Sequence, residues 1–229
     1  MYFDITYLIL VLPAVILASI ASANVDMTFK KYSQVLSRRR MTGAETARRI
    51  LDANGLRNVI INRVEGNLTD HYDPRNNTVN LSAAVYDSCS VAAIGVAAHE
   101  VGHAVQHAVG YTPIKIRSAI IPITNIASKL AIPLVLIGLI LAYPSLAYLG
   151  CIFFATATVF QLVTLPVEFN ASRRALASIE GMGILGTDEF EGSKKVLTAA
   201  AMTYVAALAV SLAQLLRLLI IIGGGRRRD

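Results

Sequence analysis

SVAAIGVAAHEVGHAVQHAV, from Ser90 to Val109, reads as one helix with an unusually apolar first half. Within it His99 and His103 stand four residues apart. They therefore lie one turn apart on the same helical face, where both imidazoles can bind one zinc ion. Glu100, between them, is set beside the fourth coordination position and can take a proton from water there. Small residues at Ala97, Ala98 and Gly102 permit close packing around such a site. The competing explanation is a polar stripe whose histidines are satisfied by carboxylates, and the HExxH spacing outweighs it.

A zinc hydrolase needs a third protein ligand and leaves the fourth position for water. The chain has four histidines, His71, His99, His103 and His107, so any ligand further along is a carboxylate. His107 shares the face of His99 but lies about 12 Å along the axis, at 1.5 Å per residue. It cannot join the same tetrahedron in a regular helix, and it reads as a supporting or structural residue. The longer metzincin pattern is absent, because Gln106 and Val109 occupy the positions that would need Gly and His. Among the carboxylates Glu168 stands out. It directly follows an apolar run and opens a stretch that reads as a helix beginning at Pro166. An acidic residue at a helix start also has a plain role, favourable interaction with the macrodipole. Asp188, Glu189 and Glu191 sit in a Gly-rich segment and read as solvated.

Around this motif the composition is that of a membrane protein. Of 229 residues, 55% are hydrophobic and 16% charged, against about a quarter charged in ordinary globular domains. Mean hydropathy is +0.55. These values exclude a disordered chain, a coiled coil and a nucleic-acid-binding domain of ordinary composition. The net charge of +6 then reads as loop charge that orients spans. Cys89 and Cys151 form neither a metal knuckle nor a disulfide framework.

Ile5 to Ala23 is long enough to cross a roughly 30 Å hydrocarbon core. Ala21-Ser22-Ala23 could pass for a signal-peptide cleavage site, but no Lys or Arg precedes the run, which favours a retained anchor. Lys30, Lys31, Arg38, Arg39, Arg40, Arg48 and Arg49 follow closely and place the first loop in the cytoplasm. Thr42 to Glu45 has the spacing of a capping box, opening a short helix that ends at Asn54-Gly55. Asn58 to Val64, Leu68 to Asp73 and Thr78 to Leu81 read as strands, the last two joined by turn chemistry at Asp73 to Asn77. Ala131 to Ala142 and Leu146 to Leu165 form an apolar hairpin around Tyr143-Pro144-Ser145. Val196 to Ile222 is a last apolar stretch before Arg226-Arg227-Arg228. Four full crossings would place that tail outside, so either the last stretch does not fully cross or the first basic loop overrides the tail.

Three segments together, Leu68-Thr69-Asp70-His71-Tyr72-Asp73-Pro74, Ala97 to Ala104 and Leu165 to Ser172, resemble the YugP-like membrane zinc metallopeptidases of bacteria. The arrangement is also similar to gluzincins of the HtpX and CaaX-prenyl-protease type. The resemblance implies a mainly α fold with a small β-sheet, a zincin-like metallopeptidase domain fused to multi-pass transmembrane helices. It implies His99, His103 and Glu168 as ligands of one Zn2+ per chain and Glu100 as general base. The gluzincin pattern would put an aspartate at 172, where this chain has Ser172, which can hydrogen-bond an imidazole but carries no charge.

The expected organisation is an anchor over 1–23, a cytoplasmic zincin-like segment over 24–118 and a transmembrane hairpin over 119–167. A cytoplasmic helix and loop over 168–195, an apolar helix over 196–222 and a basic tail over 223–229 follow. His71 and Tyr204 are candidates for the second oxyanion donor, although a turn histidine and a packed tyrosine explain them as well. The expected activity is peptide-bond hydrolysis in membrane-protein quality control or processing, in the bacterial cell membrane with the site facing the cytoplasm. The expected partners are the lipid bilayer and a protein or peptide substrate, with an oligomer or membrane partner left open and no nucleic acid. A non-catalytic zinc-binding scaffold or assembly factor is the alternative.

Overall fold

The computed structural model describes residues 5–66 and 69–225. Leu68, which opens the second expected strand, and Arg226 to Arg228 lie outside the described residues. A π-helical turn, Tyr7–Val11, leads into α1 (Leu12–Ser33), followed by α2 (Gly43–Ala53). Three strands come next, β1 (Ile60–Val64), β2 (His71–Asp73) and β3 (Thr78–Ser82). Helices complete the chain: α3 (Ala83–Tyr86), α4 (Val91–Ala108), α5 (Thr112–Ile140), α6 (Pro144–Gly181) and α7 (Thr187–Gly225). The fold is mainly α with one small sheet, as expected. Among the described residues four helical stretches, Tyr7–Ser33, Thr112–Ile140, Pro144–Gly181 and Thr187–Gly223, are long and apolar enough to cross a membrane.

The chain forms two compact units. The first comprises Met1–Ala21, Ile116–Leu165 and Thr203–Asp229. It leaves large apolar side chains such as Ile9, Ile126, Ile140 and Ile152 exposed, a surface that suits lipid and not water. Its α5–α6 hairpin is tight because glycines stand at the crossing. A Cβ on Gly138 would overlap the backbone of Ala147, and one on Gly150 would meet the Ala131 carbonyl oxygen at 2.7 Å. The turn between the two helices carries Ala142 at φ +50°. Thr158 and Ser211 hydrogen-bond at 2.8 Å, joining α6 to α7 inside this unit.

The second unit comprises Ser22–Lys115 and Pro166–Met202. Strand order is β1-β3-β2, with β1 parallel and β2 antiparallel to β3. All five residues of the central strand β3 are buried. Its Val79 and Leu81 belong to the same core as Ile50 and Leu51 of α2, Ile94, Ala98 and Val101 of α4, and Ile179 of α6. The capping box forms with both bonds, Glu45 N–H to Thr42 Oγ1 at 3.1 Å and Thr42 N–H to the Glu45 carboxylate at 2.8 Å. Gly55 ends α2 at φ +75°, a conformation that costs glycine little.

Two local expectations are corrected. No helix begins at Pro166. α6 runs through it, because a proline inside a long apolar helix forfeits one backbone bond that neighbouring groups can replace. Glu168 is therefore mid-helix, and the macrodipole explanation for it falls away. Asp188, Glu189 and Glu191 are not in a loop but in the opening turns of α7. Glu189 is buried and accepts from the backbone N–H groups of Arg38 and Gly186, at 2.7 and 2.8 Å. The second bond returns to the residue before α7 from the third position inside it, a capping geometry.

The small residues of α4 are dictated by its neighbours. A Cβ on Gly102 would lie 2.6 Å from the Ala171 carbonyl oxygen of α6, a backbone atom that cannot rotate away. Gly102→Ala is expected to destabilise the metal-free protein by about 1–3 kcal/mol, measured by thermal unfolding in detergent. Because Ala171 lies one turn from Glu168, zinc affinity should fall with it.

Candidate metal centre

α4 begins cleanly because the Ser90 hydroxyl caps it, accepting from Ala93 N–H at 3.2 Å. That start sets the phase of the helix, and His99 and His103 project from one face with ring centroids 4.8 Å apart and planes at 87°. α6 passes close by, as Gly102 permits, and delivers Glu168. Its Oε2 lies 3.3 Å from His99 Nε2 and 3.6 Å from His103 Nε2. One ligand atom from each of the three residues fits within 4.8 Å of the others.

The outer ring nitrogens are committed elsewhere. His99 Nδ1 lies 3.1 Å from the Ser172 hydroxyl, so the residue that departs from the gluzincin pattern still reaches the imidazole. His103 Nδ1 lies 3.0 Å from Gln106 Oε1. The Nε2 atoms are left converging on a carboxylate oxygen. Such a cluster is favourable only with a cation in its midst, either protons on the imidazoles or a metal ion. Tetrahedral zinc with bonds of roughly 2.0–2.1 Å requires donor separations of about 3.3–3.4 Å. The His99–Glu168 distance of 3.3 Å falls in this range and the His103–Glu168 distance of 3.6 Å is slightly longer, and two imidazoles with one carboxylate are an established donor set for hydrolytic zinc.

Burial alone would raise the Glu168 carboxyl, but hydrogen bonds to His103 and His99 outweigh it and hold it far below the ordinary carboxylate range. Burial alone would lower His103, but Glu168, the charge of Glu100 and Gln106 outweigh it and raise its pKa. Zinc needs neutral imidazoles, so protons and metal compete. Zinc affinity should therefore rise with pH and level off only above the roughly 6.5 of a free histidine. Equilibrium zinc titrations across the histidine range check this. An affinity already flat below that value would contradict it.

Glu100 is buried, at 8% exposure, and lies within electrostatic reach of His103. Among the described residues its carboxylate has no hydrogen-bond partner.

His107 lies outside the group of three described residues that could hold a metal; its ring packs on Tyr72 at 5.4 Å between centroids. Tyr72 in turn donates to Asn77 Oδ1 at 3.0 Å, so the edge strand β2 is fastened to α4. Asp70 accepts from Ser82 N–H at 2.7 Å, and Asp73 organises the turn by accepting from Arg75 N–H at 3.0 Å. The segment from Asp70 to Asp73 thus holds the sheet in place. His71 belongs to the same network. Its Nδ1 donates to the Thr69 carbonyl at 2.8 Å, and its Nε2 accepts from Asn80 Nδ2 at 3.2 Å. Both ring nitrogens of His71 are thus engaged within the sheet region. Tyr204 lies in the first unit.

Two residues were not anticipated from sequence. Gln106 is fully buried and touches His103. It stands three positions after His103, a spacing that puts it on the same helical face and could have flagged it. Asn170, beside it, lies within the Leu165 to Ser172 segment that carries the resemblance, but no role was read for it there.

Comparison with known proteins bears on this arrangement. A family model described as "Putative neutral zinc metallopeptidase" matches residues 7–223. A curated protein of Bacillus subtilis (strain 168), described as "Putative membrane protease YugP", is 49% identical over 220 residues, covering 96% of this chain and 98% of that protein. No solved structure matches the chain.

Proposed function

The chain belongs to the family described as "Putative neutral zinc metallopeptidase", and from that membership we propose that it is a membrane-embedded zinc endopeptidase. The observation that carries this reading is the pairing of a three-residue cluster that could hold a metal with a buried carboxylate that has no hydrogen-bond partner among the described residues. His99, His103 and Glu168 hold the ion, one per chain. A structural zinc site usually completes four protein ligands, whereas three leave a position open. Zinc bound there supplies the Lewis acidity that makes water a nucleophile near neutral pH. Glu100, with no hydrogen-bond donor to it among the described residues, accepts the proton of the attacking water. It then passes that proton to the leaving amine, so that each turnover returns it to the carboxylate.

The basic residues that follow the first apolar helix place the metal-binding unit on the cytoplasmic side of the bacterial cell membrane. A protease so placed reaches cytoplasmic segments of membrane proteins, which fits processing or quality control. The test is metal content together with casein hydrolysis of the purified, detergent-solubilised protein. One zinc per chain and chelator-sensitive cleavage are expected. Stoichiometric zinc without cleavage would move the reading to a zinc-holding membrane scaffold.

A further inference from the structure

Gln106 is fully buried, and its amide bridges the two helices that supply the metal ligands. Nε2 donates to the Val167 carbonyl at 2.8 Å and to Asn170 Oδ1 at 3.0 Å, while Oε1 faces His103 Nδ1 at 3.0 Å. Asn170 Oδ1 also accepts from Arg174 Nε at 2.8 Å. Amide nitrogen and oxygen are easily confused, but here both ends of the chain are unambiguous. A backbone carbonyl only accepts and a guanidinium only donates. The amide atom of Gln106 that faces Val167 O must therefore be the nitrogen. The atom of Asn170 that faces Arg174 must be the oxygen, and it then requires the same nitrogen of Gln106. The two anchors agree. Gln106 consequently presents oxygen to His103, and an oxygen there demands N–H at Nδ1.

We propose that Gln106 is a positioning residue, oriented by the Val167 carbonyl and by Arg174 through Asn170, that locks His103 in the Nδ1–H tautomer with its Nε2 lone pair aimed at the metal position. The proposal rests on the metal reading of the cluster. It treats the two histidines differently. The Ser172 hydroxyl beside His99 can either donate or accept, so that contact fixes no tautomer, whereas the amide beside His103 permits only one. Gln106 also ties His103 of α4 to the α6 turn that carries Glu168, so the ligands are held in register before any ion arrives.

The experiment uses the full-length protein in detergent micelles, labelled with 15N at histidine. Imidazole shifts of the metal-free protein are read well above the histidine titration range, and zinc affinity is measured by chelator competition. The variants are Gln106→Met, Asn170→Leu and Asn170→Asp, the last keeping an acceptor for both Arg174 and Gln106. In the wild type His103 should be a single Nδ1–H tautomer. Gln106→Met should mix the tautomers and weaken zinc about 10–100-fold, the usual cost of losing an outer partner of a metal-ligating histidine. Asn170→Leu should show a smaller change of the same kind, and Asn170→Asp should restore the wild-type tautomer. A Gln106→Met protein with unmixed Nδ1–H His103 and zinc affinity within twofold would overturn the proposal. If Gln106→Met does not fold, the Asn170 pair decides, and identical tautomer ratios in the two variants overturn it. Absence of zinc binding by the wild type would sink the metal reading, while the tautomer measurement would still judge the relay.

Discussion

Glu100→Gln is expected to keep its zinc and lose proteolysis by about 10²–10⁴-fold, the range that a positioned acid–base group contributes. The separation follows from geometry. The cluster that could hold a metal consists of His99, His103 and Glu168, so Glu100 contributes charge nearby and no ligand. Glutamine has nearly the same volume, so it should fit a site where the carboxylate is buried at 8% exposure. What it lacks is the ability to accept a proton and return it. The loss should therefore appear in kcat, with KM little changed, as when a group acts only in the transition state. Zinc content by elemental analysis and casein hydrolysis on the same preparation make the measurement. A fully active Glu100→Gln protein would sink the assignment.

The parts of the site that were legible in the sequence are those encoded by spacing. His99 and His103 share a face because four residues make one helical turn, and no tertiary knowledge is needed to see it. The apolar helices were legible by length and composition alone. Glu168 required more, since its pairing with α4 depends on how α6 packs. A census of histidines narrowed the third ligand to a carboxylate, and the place of Glu168 directly after an apolar run made it stand out before the resemblance implied the same residue. Pro166 misled because proline marks helix starts in water-soluble folds, whereas in a long apolar helix it can be carried inside. Glu189 misled for a related reason: glycines at 181, 183 and 186 signalled a loop, and a burial of 5% exposure cannot be read from a string of acidic letters. The hydrogen bond of His71 to Asn80 was not legible, because the registry that brings β2 beside β3 appears only in three dimensions. Gln106 was passed over as merely a departure from another family's motif.

Glu168→Gln should lower zinc affinity by more than the roughly 10–100-fold that follows loss of an outer-shell partner, because it removes the only anionic ligand in the set. The metal-free protein should respond as well. Glu168 is 2% exposed, and its pKa is held down by the two histidines against the opposing effect of burial. A depressed carboxyl contributes stability above its unfolded-state pKa and loses it as pH falls through the folded value. Metal-free Glu168→Gln should therefore melt below metal-free wild type near neutral pH, and the gap should close on acidification. Glu189→Gln supplies the contrast. Its carboxylate accepts from Arg38 and Gly186 N–H, so the substitution should loosen the start of α7 and leave zinc affinity within a few-fold. Chelator competition and thermal unfolding of both variants, with and without zinc, decide between the two carboxylates. Unchanged zinc binding in Glu168→Gln would remove it from the ligand set, and zinc loss in Glu189→Gln alone would transfer the role there.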